Sequence, residues 1–400
     1  MGNEEFWLTS SFKPANRLKD IKPSGIRRFF VLARELPNCV NLSVGEPDFS
    51  PPRNVLEEER KAAADGKTHY APTNGIPELR EALARKAKKE YSLDYDPNSE
   101  VLVTVGATEA IFLALMSYVN PGDEVLITDP GFVVYKPGVL LTGGVPVCIP
   151  LSEKNGFEPS CDDVISLITK RSRVMILNYP NNPTGAVLSD VRIRELTKIA
   201  VERDMLVISD EVYEKIVYDS ARHHCLATFP GMKERTLVVN SFSKTYAMTG
   251  MRAGYVYGPE ELVSPLWLVH QYTVACNNTP VQYAALGALN GSQKFVTDMV
   301  RKFNRRRLLV HGRLNEIDGF RCLLPKGAFY VFPNITDFNM SSEEFADFLS
   351  RDAQVITVPG SAFGSLGEGY LRISYASAYE QLEQALDRIE RATEKIHRTR

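Results

Sequence analysis

The sequence has no CxxC pair among its six cysteines and no HExxH or comparable spacing among its six histidines. Cys39, Cys148, Cys161, Cys225, Cys276 and Cys322 are widely dispersed, which fits a reducing compartment and argues against a disulfide framework or a clustered metal site. His69, His223, His224, His270, His311 and His397 are read as surface or packing residues, and adjacent His223 and His224 point different ways on any regular element. No apolar run approaches the roughly 18 residues that cross a bilayer. The opening Met1-Gly2-Asn3-Glu4-Glu5-Phe6 lacks the basic and apolar regions of a secretory leader, and Phe6 stands where a myristoylation motif needs Ser or Thr. The formal net charge of −2 gives no global field for nucleic acid or an anionic membrane. Arg305-Arg306-Arg307 lies in a mixed-charge helical pattern and is read as a surface stripe. These absences predict a cytoplasmic protein. Any phosphorylated ligand needs a local arrangement of donors.

What is present is ordinary globular composition, 44% hydrophobic and 24% charged, in a chain of 400 residues, which predicts two domains. Candidate strands lie at 101–105, 124–128, 145–149, 173–178, 205–209, 236–240 and 253–257. Several are near-continuous Val/Ile/Leu runs, as expected of strands covered on both faces of a mostly parallel sheet. Helical patterns at 108–119 and 189–203, the second with Ser189 as N-cap, alternate with them, so the fold class is α/β. Glu57-Glu58-Glu59-Arg60-Lys61 reads as a solvated helix face. From about residue 290 the texture changes to a long charged helix (294–317), a hairpin-like stretch (320–333) and helices at 341–352 and 378–395. The expected organisation is therefore an arm with part of a small domain (1–45), a large domain (46–289) and a smaller α+β domain (290–400). The arm either returns to the small domain or reaches another subunit.

In open α/β sheets ligands sit beyond the carboxyl ends of strands. Strand 101–105 leads into Gly106-Ala107-Thr108, strand 173–178 into Tyr179-Pro180-Asn181-Asn182-Pro183-Thr184-Gly185, strand 205–209 into Asp210-Glu211, and strand 236–240 into Ser241-Phe242-Ser243-Lys244. An amide, a carboxylate, a lysine and a small-residue helix start thus converge on one edge. Taken singly, each has a plainer alternative: a turn with an N-cap, a turn of turn-forming residues, a helix cap, a solvated lysine.

Together, and in this order, the motifs resemble one family over about residues 24–379. They are Gly45-Glu46-Pro47-Asp48-Phe49; Tyr70-Ala71-Pro72 with Gly75 and Glu78-Leu79-Arg80; Gly106-Ala107-Thr108-Glu109-Ala110; Asn181-Asn182-Pro183-Thr184-Gly185; Ser209-Asp210-Glu211-Val212-Tyr213; Ser241-Phe242-Ser243-Lys244 with Arg252; and Tyr370-Leu371-Arg372-Ile373-Ser374. This pattern resembles the class I/II aminotransferases of pyridoxal-phosphate (PLP) fold type I, in the branch of prokaryotic aspartate and aromatic aminotransferases. Pro359-Gly360-Ser361-Ala362-Phe363-Gly364 and Arg372-Ile373-Ser374-Tyr375-Ala376 resemble the archaeal aromatic members most. The implied fold is a large domain with a mostly parallel seven-stranded sheet plus a smaller α+β domain.

The resemblance implies a role for each matching residue. Lys244 bonds covalently to the PLP aldehyde and later shuttles the substrate's α-proton, tasks that a lysine deprotonated in a cationic, partly desolvated site performs. Asp210 keeps the pyridine nitrogen protonated, so that the ring acts as an electron sink. Asn182 and Tyr213 hydrogen-bond the ring oxygen, and Phe132 stacks on the ring unless it is an ordinary core aromatic. Gly106, Ala107 and Thr108 offer backbone N–H groups to the phosphate, joined by Ser241, Ser243 and Arg252. Tyr70 reaches the phosphate of a partner's site, so a homodimer with shared sites is implied. Arg372 binds the substrate α-carboxylate, and Gly45 lets that carboxylate approach the backbone.

Two departures stand out. Ala275-Cys276-Asn277-Asn278-Thr279-Pro280 occupies a stretch that in much of the family is small hydroxyl residues followed by proline, and Phe132 stands where many relatives have Trp or Tyr. The function implied is transfer of an amino group from an L-amino acid, aromatic first and aspartate next, to 2-oxoglutarate by a ping-pong mechanism. A PLP-dependent C–S lyase of the same fold is the alternative. A PLP-responsive transcription factor is disfavoured, because only about forty residues precede the motifs, too few for a winged helix.

Overall fold

A short strand β1 (Val40–Asn41) precedes seven longer ones: β2 (Val101–Thr104), β3 (Glu124–Asp129), β4 (Val145–Pro150), β5 (Ser172–Asn178), β6 (Leu206–Asp210), β7 (Thr236–Ser241) and β8 (Gly254–Tyr257). The structure is a computed structural model that describes residues 13–398 apart from Ser24 and Pro37. Residues 1–12, where the absence of a leader was read, Ser24 at the start of the motif region, and the side chain of His397 lie outside what it describes.

Strands β2–β8 form one seven-stranded sheet in the order β2-β8-β7-β6-β5-β3-β4. Each of the seven strands expected from sequence is present, with ends within one residue. Every position of β2, β3, β7 and β8 is buried, which is why these segments carry no polar alternation. β3 to β7 pair in parallel, whereas β8 runs antiparallel to both β2 and β7. This arrangement sends the carboxyl ends of β2, β3, β5, β6 and β7 to one edge. Because β8 is reversed, its amino end arrives at the same edge and brings Arg252 with it.

The C-terminal part contains β9 (Tyr330–Val331), β10 (Val355–Ile356), β11 (Val358–Pro359) and β12 (Leu371–Ser374), of which all but β10 form a three-stranded antiparallel sheet in the order β11-β12-β9. β1 pairs in parallel with β10, so the N-terminal segment returns to this part of the same chain. One apolar cluster joins β9, β10 and β12 to the helices Lys294–Glu316 and Tyr379–Arg398 and extends to Val212 and Tyr213 beyond β6. Burial thus fastens the C-terminal part to the rim of the large sheet.

Three expectations change. The stretch 320–333 is not a regular hairpin: Phe320–Pro333 closes through a single Arg321–Asn334 bridge, while Tyr330–Val331 pairs with β12. The helix expected over 341–352 is α-helical only from Ser342 to Phe348, starting from a Ser341/Glu344 capping box, and widens to a π turn over Leu349–Ala353. Nor is Arg305-Arg306-Arg307 a surface stripe. Arg306 is buried and makes two 2.8 Å hydrogen bonds with Asp48, and Arg307 is fully buried against Asp219, the Pro325 carbonyl and the Tyr218 ring. Paired arginines can enter a core where a solitary charge cannot. The Arg306–Asp48 pair also fastens the loop that carries Gly45.

Ser189 caps its helix as expected, accepting from the Arg192 N–H. His223 and His224 do diverge, to Glu211 and Asp190 respectively, each at 2.8 Å. No helix among the described residues is long and apolar enough to cross a membrane.

Candidate active site

Beyond the shared strand edge lies a cavity of about 230 Å³ lined by Gly45, Ala107, Thr108, Phe132, Asn182, Asp210, Tyr213, Ser241, Ser243, Lys244, Arg252 and Arg372, together with Ile26, Asn178, Tyr330 and others. Twelve of the predicted site residues therefore meet in one place. Gly106 lies beside them: its backbone has φ +80°, and a Cβ there would come within 2.5 Å of Arg252 Nη2. Only glycine allows that approach, because the backbone angle and the contact both exclude a side chain. Tyr70 is not brought to this cavity; its side chain is 90% exposed.

Each side chain is held by the element that carries it. Asp210 ends β6 fully buried, with Oδ2 accepting from the Tyr135 hydroxyl at 2.7 Å and Oδ1 from the Val212 N–H at 3.3 Å. Burial pushes its carboxyl up to about 6, against the lowering effect of those two donors. Ser241 caps the turn Phe242–Thr245 that bears Lys244, accepting from the Ser243 N–H. The Lys244 ammonium donates to the Gly45 carbonyl at 2.6 Å. Desolvation lowers its pKa to about 8, with Arg372 and Arg252 pushing the same way and Glu46 and Asp210 opposing.

Arg372, on β12, donates to the Ser43 carbonyl at 2.6 Å and to Asn182 Oδ1 at 3.2 Å. Its guanidinium lies 4.5 Å from the Tyr330 ring centre and 4.9 Å from that of Phe363, and its Nε has no partner. The Tyr213 and Tyr330 hydroxyls are 2.9 Å apart.

The charge balance is uneven. Among the described residues three cations, Lys244, Arg252 and Arg372, line the cavity against one carboxylate, Asp210. Among the described residues these cations donate only to neutral oxygens: the carbonyls of Gly45, Thr249 and Ser43, and the Asn182 amide. A buried arginine without an anionic partner is costly. The cavity is therefore built for anions.

A family model described as aminotransferase class I and II matches residues 37–389. This chain belongs to the class I and II aminotransferases. It is similar to an aspartate aminotransferase of Pyrococcus abyssi and to aromatic-amino-acid aminotransferase 2 of Thermococcus litoralis, each 46% identical over 379 residues, covering 94% of this chain and 97% of the relative. Among solved structures, the aromatic aminotransferase of Pyrococcus horikoshii superposes with a TM-score of 0.88 at 44% identity, covering 92% of this chain and 99% of that one. The aspartate aminotransferase of Thermus thermophilus with maleate gives a TM-score of 0.91 at 37% identity, covering 95% and 100%.

As a class I/II aminotransferase the protein is an enzyme with the type I fold, in a family that generally depends on PLP. The residues present fit that group. The unpaired cations suit its phosphate and a substrate carboxylate, Gly106 leaves room beside Arg252, and the buried Asp210 suits a protonated ring nitrogen. The lowered pKa of Lys244 has a measurable consequence. With Lys244 as the capturing amine, the role proposed below, the rate at which apoprotein takes up PLP covalently should rise roughly tenfold per pH unit up to about 8 and level off above it. Stopped-flow absorbance checks this, since a lysine left at its ordinary 10.5 would keep accelerating well beyond that point.

Sequence reasoning missed Tyr135, Tyr330 and Ile26. The available signal was tyrosine, rather than phenylalanine, in segments otherwise apolar enough to be buried, because a buried hydroxyl needs a partner.

Proposed function

We propose that the enzyme binds PLP on Lys244 and moves amino groups from L-amino acids, aromatic ones first and aspartate next, to 2-oxoglutarate in two half-reactions. The observation that carries this is the convergence of Lys244, Arg252 and Arg372, without hydrogen-bonded anionic partners among the described residues, on a cavity floored by Asp210. The group supplies, when bound, an electron sink for the pair left when the substrate's α-proton departs. Lys244 takes that proton at Nζ and returns it; its lowered pKa keeps a usable fraction of neutral amine near neutral pH. Asp210 holds a proton on the ring nitrogen, with Tyr135 steadying its Oδ2. Asn182 and Tyr213 would hydrogen-bond the ring oxygen, and Phe132 would offer its ring to the cofactor. Gly106, Ala107, Thr108, Ser241, Ser243 and Arg252 receive the phosphate. Arg372 pairs with the α-carboxylate, its plane set by Tyr330 and Phe363. Gly45 leaves space there, since a Cβ at that position would lie 2.7 Å from the Tyr330 hydroxyl.

The donor preference is supported by what the lining lacks. Once phosphate and α-carboxylate have taken Arg252 and Arg372, no arginine or lysine among the described residues except Lys244 lines the cavity to meet a second carboxylate, while Ile26, Ile111, Phe132 and Tyr330 offer apolar wall. Tyr70, exposed on this subunit, is assigned to the partner's phosphate in a homodimer. The test is a panel of amino acids presented singly to the PLP-loaded enzyme. Stoichiometric 2-oxo acid, released fastest from aromatic donors, is expected. Catalytic pyruvate and ammonia from cysteine conjugates would instead indicate the C–S lyase.

Arg372→Ala should raise KM for every donor about 100-fold, the loss of a paired, charge-assisted contact, with a much smaller effect on kcat. Steady-state kinetics decide this, and an unchanged KM would reject the carboxylate role.

A further inference from the structure

The segment Ala275–Pro280, whose composition departs from the family pattern, places one side chain against both halves of the anion cup. Asn277 is 1% exposed, and its Nδ2 donates to the carbonyl oxygens of Thr104 at 2.5 Å and Arg252 at 3.2 Å. Thr104 ends β2, two residues before Gly106; Arg252 precedes β8. A single NH2 group thus ties the strand end that leads into the Gly106 turn to the backbone of the arginine facing that turn. Both acceptors are carbonyls, so only the donor end of the carboxamide can face them, and its orientation is determined.

The geometry leaves little slack. Arg252 has the left-handed backbone angle φ +58°, which a residue with a Cβ holds only under constraint from its surroundings. A Cβ on Gly106 would touch Arg252 Nη2 at 2.5 Å, and one on Gly254 would touch the Gly106 carbonyl carbon at 2.6 Å. The two halves are therefore at contact distance, and a small shift of the Arg252 backbone displaces its guanidinium from the turn. Asn277 is itself anchored. Its own carbonyl accepts from Gln282 Nε2 at 3.0 Å, and Gln282 Oε1 accepts from the Ile76 N–H at 2.7 Å.

We propose that Asn277 is a positioning residue for the phosphate subsite, holding Arg252 and the Gly106 turn in register through its side-chain amide. The proposal rests on the reading of Arg252 and that turn as the phosphate site. It assigns Asn277 no contact with substrate or with the reacting atoms.

The experiment compares the dissociation constants of pyridoxal 5′-phosphate and of pyridoxal, which lacks the phosphate, for apoenzyme forms of wild type, Asn277→Asp, Asn277→Ser, Asn278→Ala and Arg252→Ala. Asn277→Asp keeps the shape and removes the donors. It should weaken pyridoxal 5′-phosphate binding roughly 10- to 100-fold and leave pyridoxal binding unchanged. Asn277→Ser, with one donor and no added charge, should fall between the two and serves if the aspartate variant does not fold. Asn278→Ala, which removes the cap of the adjacent helix, should lower the melting temperature without changing the ratio of the two constants. Equal weakening of both ligands by the Asn277 variants, or no weakening of either, would overturn the proposal. Loss in Arg252→Ala with none at Asn277 overturns this proposal alone. Wild-type affinity in Arg252→Ala removes the phosphate reading beneath it, and the proposal with it.

Discussion

Replacing Lys244 with alanine is expected to lower kcat by about 10³–10⁴-fold, the upper part of the range for losing a positioned proton-transfer group, because the covalent anchor is lost with it. Among the described residues no other lysine lines the cavity to take over. The loss should be chemical and not structural. The folded state holds the Lys244 ammonium in a desolvated setting, with its pKa depressed from 10.5 to about 8. The unfolded chain therefore binds more protons than the native one between those values, and stability contributed by this site rises with pH across that window. At neutral pH the charged lysine opposes folding, and its removal should not lower the melting temperature of the apoprotein. Turnover and calorimetry on the same preparation separate the two effects: activity near wild type, or loss explained by unfolding, would each contradict the assignment.

Asp210→Asn is expected to cut kcat by about 10²–10³-fold, comparable to removing one preorganised charge-stabilising group from an active site. The amide keeps the volume of the carboxylate, and its oxygen can still accept from Tyr135, so the fold should persist. What disappears is the negative charge that keeps a proton on the facing ring nitrogen. Tyr135→Phe should have the same sign and a smaller size, because it removes only the hydroxyl that steadies Oδ2. Rapid-quench measurement of single half-reactions with each variant tests this. A wild-type half-reaction rate in Asp210→Asn would remove the carboxylate from the chemistry, whatever its place in the cavity.

The large sheet was legible because its strands are covered on both faces. Continuous aliphatic runs such as Val101-Leu102-Val103 and Val174-Met175-Ile176-Leu177 have few other places to go in a chain of this composition. Strand direction was not legible: nothing in Gly254–Tyr257 distinguishes an antiparallel strand from its parallel neighbours, yet that reversal brings Arg252 to the site. The C-terminal part was read less well for a similar reason. Its strands are two to four residues long and pair across large sequence separations, as Tyr330–Val331 does with β12, so local alternation is too brief to register. Arg306 and Arg307 misled because a run of charges resembles a solvated face until their partners, Asp48 and Asp219, are seen in space.

For the site, the polar residues that follow buried strands were identifiable only together: Asp210 alone could be a helix cap and Lys244 a solvated lysine, and it was the ordered set of motifs that singled them out. Tyr135 and Tyr330 were harder to single out, because their rings read as core and the partners of their hydroxyls, Asp210 and Tyr213, are met only in space. Asn277 lay inside a segment marked as unusual, but its two carbonyl partners are 173 and 25 residues away in the chain. A link of that kind is invisible without coordinates.

The most direct test of the whole account is chemical trapping. Apoprotein is mixed with pyridoxal 5′-phosphate, reduced with borohydride, digested and mapped by mass spectrometry. The cofactor's mass should be found on the peptide containing Lys244 and vanish in Lys244→Ala. A wild-type protein that carries no such mass, or carries it on a different lysine, would contradict the account.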